Sequence, residues 1–267
     1  MNAIPPPRDD APTRPPRRLL VTGLGGTLAP VLARAAQARG DEVLRWRRDA
    51  PGFDPEAEFE RLRPDAVAHL GMGDAAGCGR LATLAHRAGL PFLFTSTAMV
   101  FHHVPDGPHR PHDARTAVDP YGRYKIEAED AVQAAHPGAA IARLGWQIGP
   151  EPVGNNMLAA LDGWQAGQSE VAASRAWTPA CSFMEDTAEA LLGLLGVPGL
   201  HHLDSNAQDA WNFHELVLAL RERFGRTHWR VRAHTDYAHD QRLLGGPALP
   251  PLSARLRRPD ADAAEAG

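Results

Sequence analysis

The sequence predicts an α/β protein: a Rossmann-like, doubly wound parallel sheet with a smaller C-terminal substrate-binding part. Three observations carry that expectation. Short apolar runs alternate with helical segments through the first half of the chain. A glycine turn joins the first run to the first helical segment. The length of 267 residues, with 43% hydrophobic and 22% charged side chains, suits one domain with a smaller companion.

Residues 18–22, RLLVT, form a short apolar run that stops at glycine, as a buried strand does. Residues 27–39 carry Leu28, Val31, Leu32 and Ala35 at helical spacing and close on Gly40. Strands are then expected at 42–46, 65–70 and from 91 to 95, with helices at 55–62 and 80–88. Residues 102–120 form a long loop of Pro, His, Asp and Gly, a length that is usually functional or disordered. A helix at 121–135 and a strand at 139–144 follow. The remainder is less regular, with helices expected near 156–165, 185–195 and 213–224 and a strand at 199–203.

Composition narrows the function. The net charge of −4 gives no basic footprint for nucleic acid or anionic lipid. No apolar run approaches the roughly 20 residues that span a bilayer. The proline- and arginine-rich residues 1–17 have no apolar core and do not read as a secretory signal. They and residues 257–267 read as flexible tails. Cys78 and Cys181 stand alone, which disfavours a disulfide framework or a cysteine zinc site and predicts a reducing cytoplasm.

Residues 21–29 read VTGLGGTLA. Gly23, Gly25 and Gly26, with Thr27 and Leu28 opening the helix behind them, form a turn whose free amides and helix dipole would receive a pyrophosphate. Leu70 and Gly71, ending the third strand, are expected to line the same cofactor. The end of the second strand should select the dinucleotide, and there the chain reads Arg45-Trp46-Arg47-Arg48. Guanidinium groups grip a 2′-phosphate, so NADP(H) is expected ahead of NAD(H), with Arg47 near the spacing of the selecting residue. Asp49 keeps NAD(H) as the second choice.

Lysine is the rarest clue. Of 28 basic residues one is lysine, Lys125, and it lies four residues after Tyr121, one of three tyrosines. At that spacing the two share a helix face. A neighbouring ammonium favours a phenolate and should lower the phenol pKa, making Tyr121 an acid–base group. Both are also expected to touch the cofactor. A hydroxyl at the end of the fourth strand would polarise a carbonyl; Thr97 is the first choice there and Ser96 the second.

The glycine turn, DAVAHL, TSTAMVF, DPYGRYK and ARLGWQIGP together resemble the extended short-chain dehydrogenase/reductase superfamily, and within it the dTDP-4-dehydrorhamnose reductase family. The likeness covers roughly residues 18–256. It implies an NADP-binding domain at 18–150 and a substrate-binding part at 151–256 with segments returning to the first. It also implies Thr97, Tyr121 and Lys125 as the catalytic trio, and Thr97, Met99, Arg143, Trp146 and Asn155 as substrate contacts. The substrate implied is a nucleotide-linked keto-sugar. A homodimer is compatible with the resemblance. The chain departs from the family in a shorter segment after the third strand and in Ala98-Met99, where the family has Asp-Tyr. The same trio also serves epimerases and dehydratases, and a non-catalytic NADP-binding regulator is the alternative of a different class. Ala98 offers no extra acid or base, which leans toward reduction. The 13 histidines lack metal-ligand spacing, so no metal is expected and His102, His103, His109 and His112 read as a solvated loop.

Overall fold

β1 (Arg18–Thr22) is the second strand from one edge of the six-stranded sheet, and its alternating side chains contribute to the core on both faces. Leu19 and Val21 face one side, packing with Leu32 and Ala36 of α1 (Ala29–Ala38) and Leu191 of α6 (Met184–Leu194). Leu20 faces the other side. There it joins Phe59 of α2 (Pro55–Leu62), Leu81 of α3 (Ala75–Arg87) and Val132 of α4 (Pro120–Ala135). The computed structural model describes residues 15–150 and 154–259. The expectations for residues 1–14 and 260–267 lie outside those described.

The sheet runs β2 (Glu42–Arg45), β1, β3 (Ala66–His69), β4 (Phe92–Thr97), β5 (Ala140–Leu144), β10 (Gly199–Leu203), with every pairing parallel. Helices cover both faces, as expected from the sequence. β2 and β3 flank β1, so the order reverses there and a crevice opens beyond the carboxyl ends.

α3 starts at Ala75, earlier than the sequence predicts, because Asp74 caps it through the Gly77 amide. Its glycines read as breaks in one dimension. In three, Gly79 is where α3 meets α4: a Cβ there would lie 3.4 Å from the Ala131 side chain.

Six short strands were not expected. β6 (Trp146–Ile148) pairs with β9 (Cys181–Phe183), β7 (Val171–Ser174) with β11 (Val231–His234), and β8 (Trp177–Thr178) with β12 (His239–Asp240). With α5 (Met157–Gln168) and α7 (Phe213–Arg223) they enclose a second core around Trp211, Trp229, Phe213 and Leu216.

The 102–120 loop corrects an expectation. His109 is buried, stacked on Phe101 at 4.3 Å, with its Nε2 3.4 Å from His239 Nε2. Its amide donates to the Arg242 carbonyl, and its carbonyl accepts from the Leu244 amide, both at 2.8 Å. This backbone pairing draws a polar stretch inward. The chain ends are also tied where described. Arg17 donates to Asp41 at 2.9 Å. Arg255 and Arg258 pair with Asp186 and Glu215, which holds both guanidinium groups on the protein's own carboxylates. Among the described residues no helix is long and apolar enough to cross a membrane, and no cluster of ligating side chains could hold a metal.

Arg143 is 1% exposed. It grips Glu129 in a fork at 2.9 and 2.7 Å and donates to the Pro111 carbonyl at 2.8 Å. Its donors are turned inward, away from any substrate, which is a structural role in place of the expected ligand contact. Removing one partner of such a pair strands a charge in a dry site. Glu129→Ala is expected to lower stability by about 3–5 kcal/mol, read from urea unfolding followed by tryptophan fluorescence; a loss under about 1 kcal/mol would contradict the pairing.

Candidate functional site

The cleft beyond the sheet has a volume of about 520 Å³. Gly23 to Gly26 form one wall, and the short connection from Leu70 to Asp74 forms another. Gly23 has φ +79°, and a Cβ on it would stand 2.8 Å from Gly71, so two chain segments cross at the distance of bare backbone. Gly26 N–H closes the turn onto the Gly23 carbonyl at 2.8 Å, leaving the α1 start open to the cleft. Thr27 and Leu28 follow the turn outside the cleft lining. Thr27 Oγ1 accepts from the Asn155 amide at 3.0 Å, which seats Asn155 beside the glycine turn.

The arginines separate. Arg45 and Arg48 line the cleft with Trp46, Asp49 and Phe53. Arg48 is held there by the Met72 carbonyl at 2.9 Å. Arg47 does not line it; its charge acts on Glu58 of α2. β2 ends at Arg45, and in the turn that follows Arg47 alone of the RWRR run stays out of the lining.

None of Thr97, Tyr121 and Lys125 lines this cleft; Lys125 lies close enough to two lining residues, His69 and Cys78, for their charges to act on one another. Asp119 caps α4 through the Gly122 amide at 2.8 Å, and Pro120 opens the helix. Gly122 packs directly on the backbone after β4; a Cβ there would run into the Met99 carbonyl and stand 2.6 Å from Ala117. That approach brings the Tyr121 phenol near the Thr97 hydroxyl. Thr97 Oγ1 also accepts from the Met99 amide at 3.2 Å. Ser96, the alternative hydroxyl, is buried, and its Oγ has no hydrogen-bond partner among the described residues.

Lys125 is 3% exposed. Its ammonium donates to the Thr95 carbonyl at 2.9 Å and lies 4.9 Å over the Phe94 ring. Burial lowers its pKa to about 8, against the pull of Cys78 and Glu129. The phenol departs from expectation: partial burial holds Tyr121 above the ordinary tyrosine value, opposed by the nearby Thr97 hydroxyl and reinforced by the Asp119 charge. Lys125 points at a carbonyl, so it does not draw the phenol down. Tyr121 therefore carries its proton at neutral pH.

Met99 is exposed near this pair, and Trp146 is half-buried, stacked with Trp177 at 6.3 Å and with Phe213 at 6.1 Å. Three residues the sequence reading did not single out connect the trio to the cleft. His69 and Cys78 line it, and Tyr124 accepts from the Gly73 amide at 3.3 Å. The one signal for Tyr124 was the rarity of tyrosine.

Residues 72–239 match the RmlD substrate binding domain. The chain belongs to that family. It is similar to dTDP-4-dehydrorhamnose reductase of Mycolicibacterium smegmatis, 32% identical over 246 residues, which cover 81% of this chain and 72% of that protein. The enzyme of the same name from Mycobacterium tuberculosis is 28% identical over 205 residues, 66% of this chain; the match spans only 65% of that protein's length. A crystal structure of dTDP-4-dehydrorhamnose reductase from Bacillus anthracis in complex with NADP superimposes with a TM-score of 0.74 at 16% identity. That match covers 89% of this chain and 96% of the other.

As the sole lysine of this RmlD-family chain, Lys125 gives one resonance in selectively labelled protein. Its NMR titration is expected to have a midpoint near pH 8, charged below and neutral above. A midpoint at the free-lysine value, about 10.4, would contradict the burial.

Proposed function

We propose that the chain is an NADP(H)-dependent reductase of a nucleotide-linked keto-sugar, of the 4-keto-6-deoxyhexose type. One observation carries the reading: the fold brings the protonated Tyr121 phenol near the strand-end Thr97 hydroxyl, with the buried Lys125 ammonium one helical turn behind and close to Cys78 of the glycine-walled cleft.

The residues present fit a dinucleotide. Gly25 and Gly26 are exposed at the α1 N-terminus, where amides and dipole favour a pyrophosphate. A Cβ on Gly25 would meet nothing within 4 Å, so the space above the turn is open. Arg45 and Arg48 supply guanidinium groups at the far end, suited to a 2′-phosphate. A bound reduced nicotinamide supplies the hydride. Lys125 holds a positive charge at the inner end and can meet ribose hydroxyls.

Thr97 accepts from Met99, so its own proton is free to turn toward a substrate carbonyl or the Tyr121 oxygen. Tyr121 O–H donates its proton to the oxygen as negative charge grows there. The raised phenol pKa suits that direction, because an acid must be protonated before it gives. Trp146 and Met99 offer apolar surface for a sugar ring. Ala98 supplies no second acid or base, which favours reduction over epimerisation. The family membership and the named relatives support this class of substrate.

The test is oxidation of NADPH with a panel of nucleotide-linked 4-keto sugars. Tyr121→Phe is expected to lower kcat by about 10²–10⁴-fold while NADPH still binds. Unchanged kcat in that variant, or no turnover of any keto-sugar by the wild type, would overturn the reading.

A further inference from the structure

We propose that Tyr124 is a positioning residue for cofactor choice: from the catalytic helix it holds the 70–74 connection in place, and through that connection it sets Arg48. This rests on the dinucleotide reading above.

The connection from β3 to α3 is five residues, Leu70-Gly71-Met72-Gly73-Asp74, and it forms one wall of the cleft. Two glycines leave it without intrinsic stiffness. Its shape must therefore come from outside. Three tethers supply it. The Gly71 amide donates to Thr22 Oγ1 at 2.9 Å, the Gly73 amide donates to Tyr124 Oη at 3.3 Å, and the Met72 carbonyl accepts from Arg48 Nη1 at 2.9 Å. Arg48 also lies against Gly73 itself, where a Cβ would stand 2.8 Å from its Nη1. The position of Arg48 thus depends on where residues 72 and 73 sit, and Tyr124 is the side chain that binds residue 73.

Tyr124 is itself fixed by a chain of polar contacts. Its hydroxyl lies 3.9 Å from Cys78 Sγ, Cys78 lies 3.3 Å from His69 Nε2, and His69 Nδ1 lies 2.6 Å from Thr22 Oγ1. Thr22 Oγ1 accepts from the Gly71 amide and shares a further hydrogen bond with His69 Nδ1, while His69 Nε2 shares one with the Cys78 thiol. The circuit joins the residue before the glycine turn, Thr22, to the residue before Lys125. A shortened wall that would otherwise drift is held to the catalytic helix by one phenol.

A phenylalanine at 124 keeps the ring but gives the Gly73 amide no acceptor. The experiment titrates NADPH and NADH into wild type, Tyr124→Phe, Arg48→Ala and the double variant, following energy transfer from tryptophan to the nicotinamide, with melting temperature as the check on folding. In Tyr124→Phe, NADPH is expected to bind about fivefold more weakly, the worth of one neutral hydrogen bond. NADH, which has no 2′-phosphate for Arg48, is expected to change by less than about twofold. In the Arg48→Ala background the Tyr124 substitution should leave the NADPH-to-NADH ratio unchanged, the signature of two residues acting as one. The kcat at saturating NADPH should stay near wild type, so that the loss falls on KM. Equal weakening of both dinucleotides, additive effects in the double variant, or unchanged NADPH affinity would overturn the proposal. Should Tyr124→Phe fail to fold, Cys78→Ala cuts the same circuit one contact back and must weaken NADPH selectively for the proposal to stand. A wild type that binds neither dinucleotide would sink the cofactor reading itself, and this inference with it; the wild-type titration tells the two failures apart.

Discussion

The start of α4 and the end of β4 touch at Gly122, and that contact admits no side chain: a methyl group would run into the Met99 carbonyl. The placement of Tyr121 relative to Thr97 depends on this approach. Tyr121 is held on one side of the contact and Thr97 on the other, and they come near each other because residue 122 has no Cβ. The local sequence DPYG supplies the parts in order. Asp119 caps the first turn, Pro120 is pre-set for the first helical position, Tyr121 carries the phenol, and Gly122 lets the turn settle on backbone.

From that end α4 presents a stripe to the sheet: phenol at 121, ammonium at 125, carboxylate at 129, one turn apart. Lys125 and Glu129 are both buried and would neutralise each other if nothing intervened. Arg143 intervenes. Its fork occupies both carboxylate oxygens, and Arg115 adds a further contact at 3.3 Å. Glu129 is thereby matched from the far side, and Lys125 is left with a carbonyl as its hydrogen-bond partner. A buried ammonium without a carboxylate is costly, and its lowered pKa expresses that cost. Arg143 thus keeps Glu129 matched without touching Lys125.

Most of the sheet could be read from the chain because its signals are local. Each main strand is a run of four to six residues bounded by turn residues, and β1, α2 and β10 fall where the apolar pattern places them. The short strands of the C-terminal part could not be read this way. β8 and β12 are two residues each and exist only because a distant partner lies alongside. The site shows the same division. Tyr121, Lys125 and Thr97 announce themselves through spacing and rarity. Arg143 looks like a ligand residue until the fold shows which way it turns, and the choice between Arg45, Arg47 and Arg48 depends on the twist of one exposed segment. His109 looks solvated until its backbone is seen pairing with residues 242 and 244.

That last pairing has a consequence for Thr97 and Tyr121. Thr97 and Tyr121 sit at the two ends of the 98–120 segment, which runs out from the sheet and returns to it. At its near end the Thr116 and Ala117 amides donate to the Val100 carbonyl, at 2.9 and 3.1 Å. At its far end His109 is stacked on Phe101 and bonded to Arg242 and Leu244. Phe101 in turn lies under the Arg143 guanidinium at 5.1 Å. The loop is therefore bound at its base to itself and at its tip to the C-terminal part, where Leu243 N–H donates to the buried Asp204 carboxylate at 3.0 Å. Asp204 also accepts from Cys181, at the head of β9, whose partner β6 begins at Trp146. One line of contacts thus runs from the aromatic floor at Trp146 through Asp204 and His109 to the two hydroxyls, so the surface offered to a sugar ring and the groups that would protonate its carbonyl share one frame.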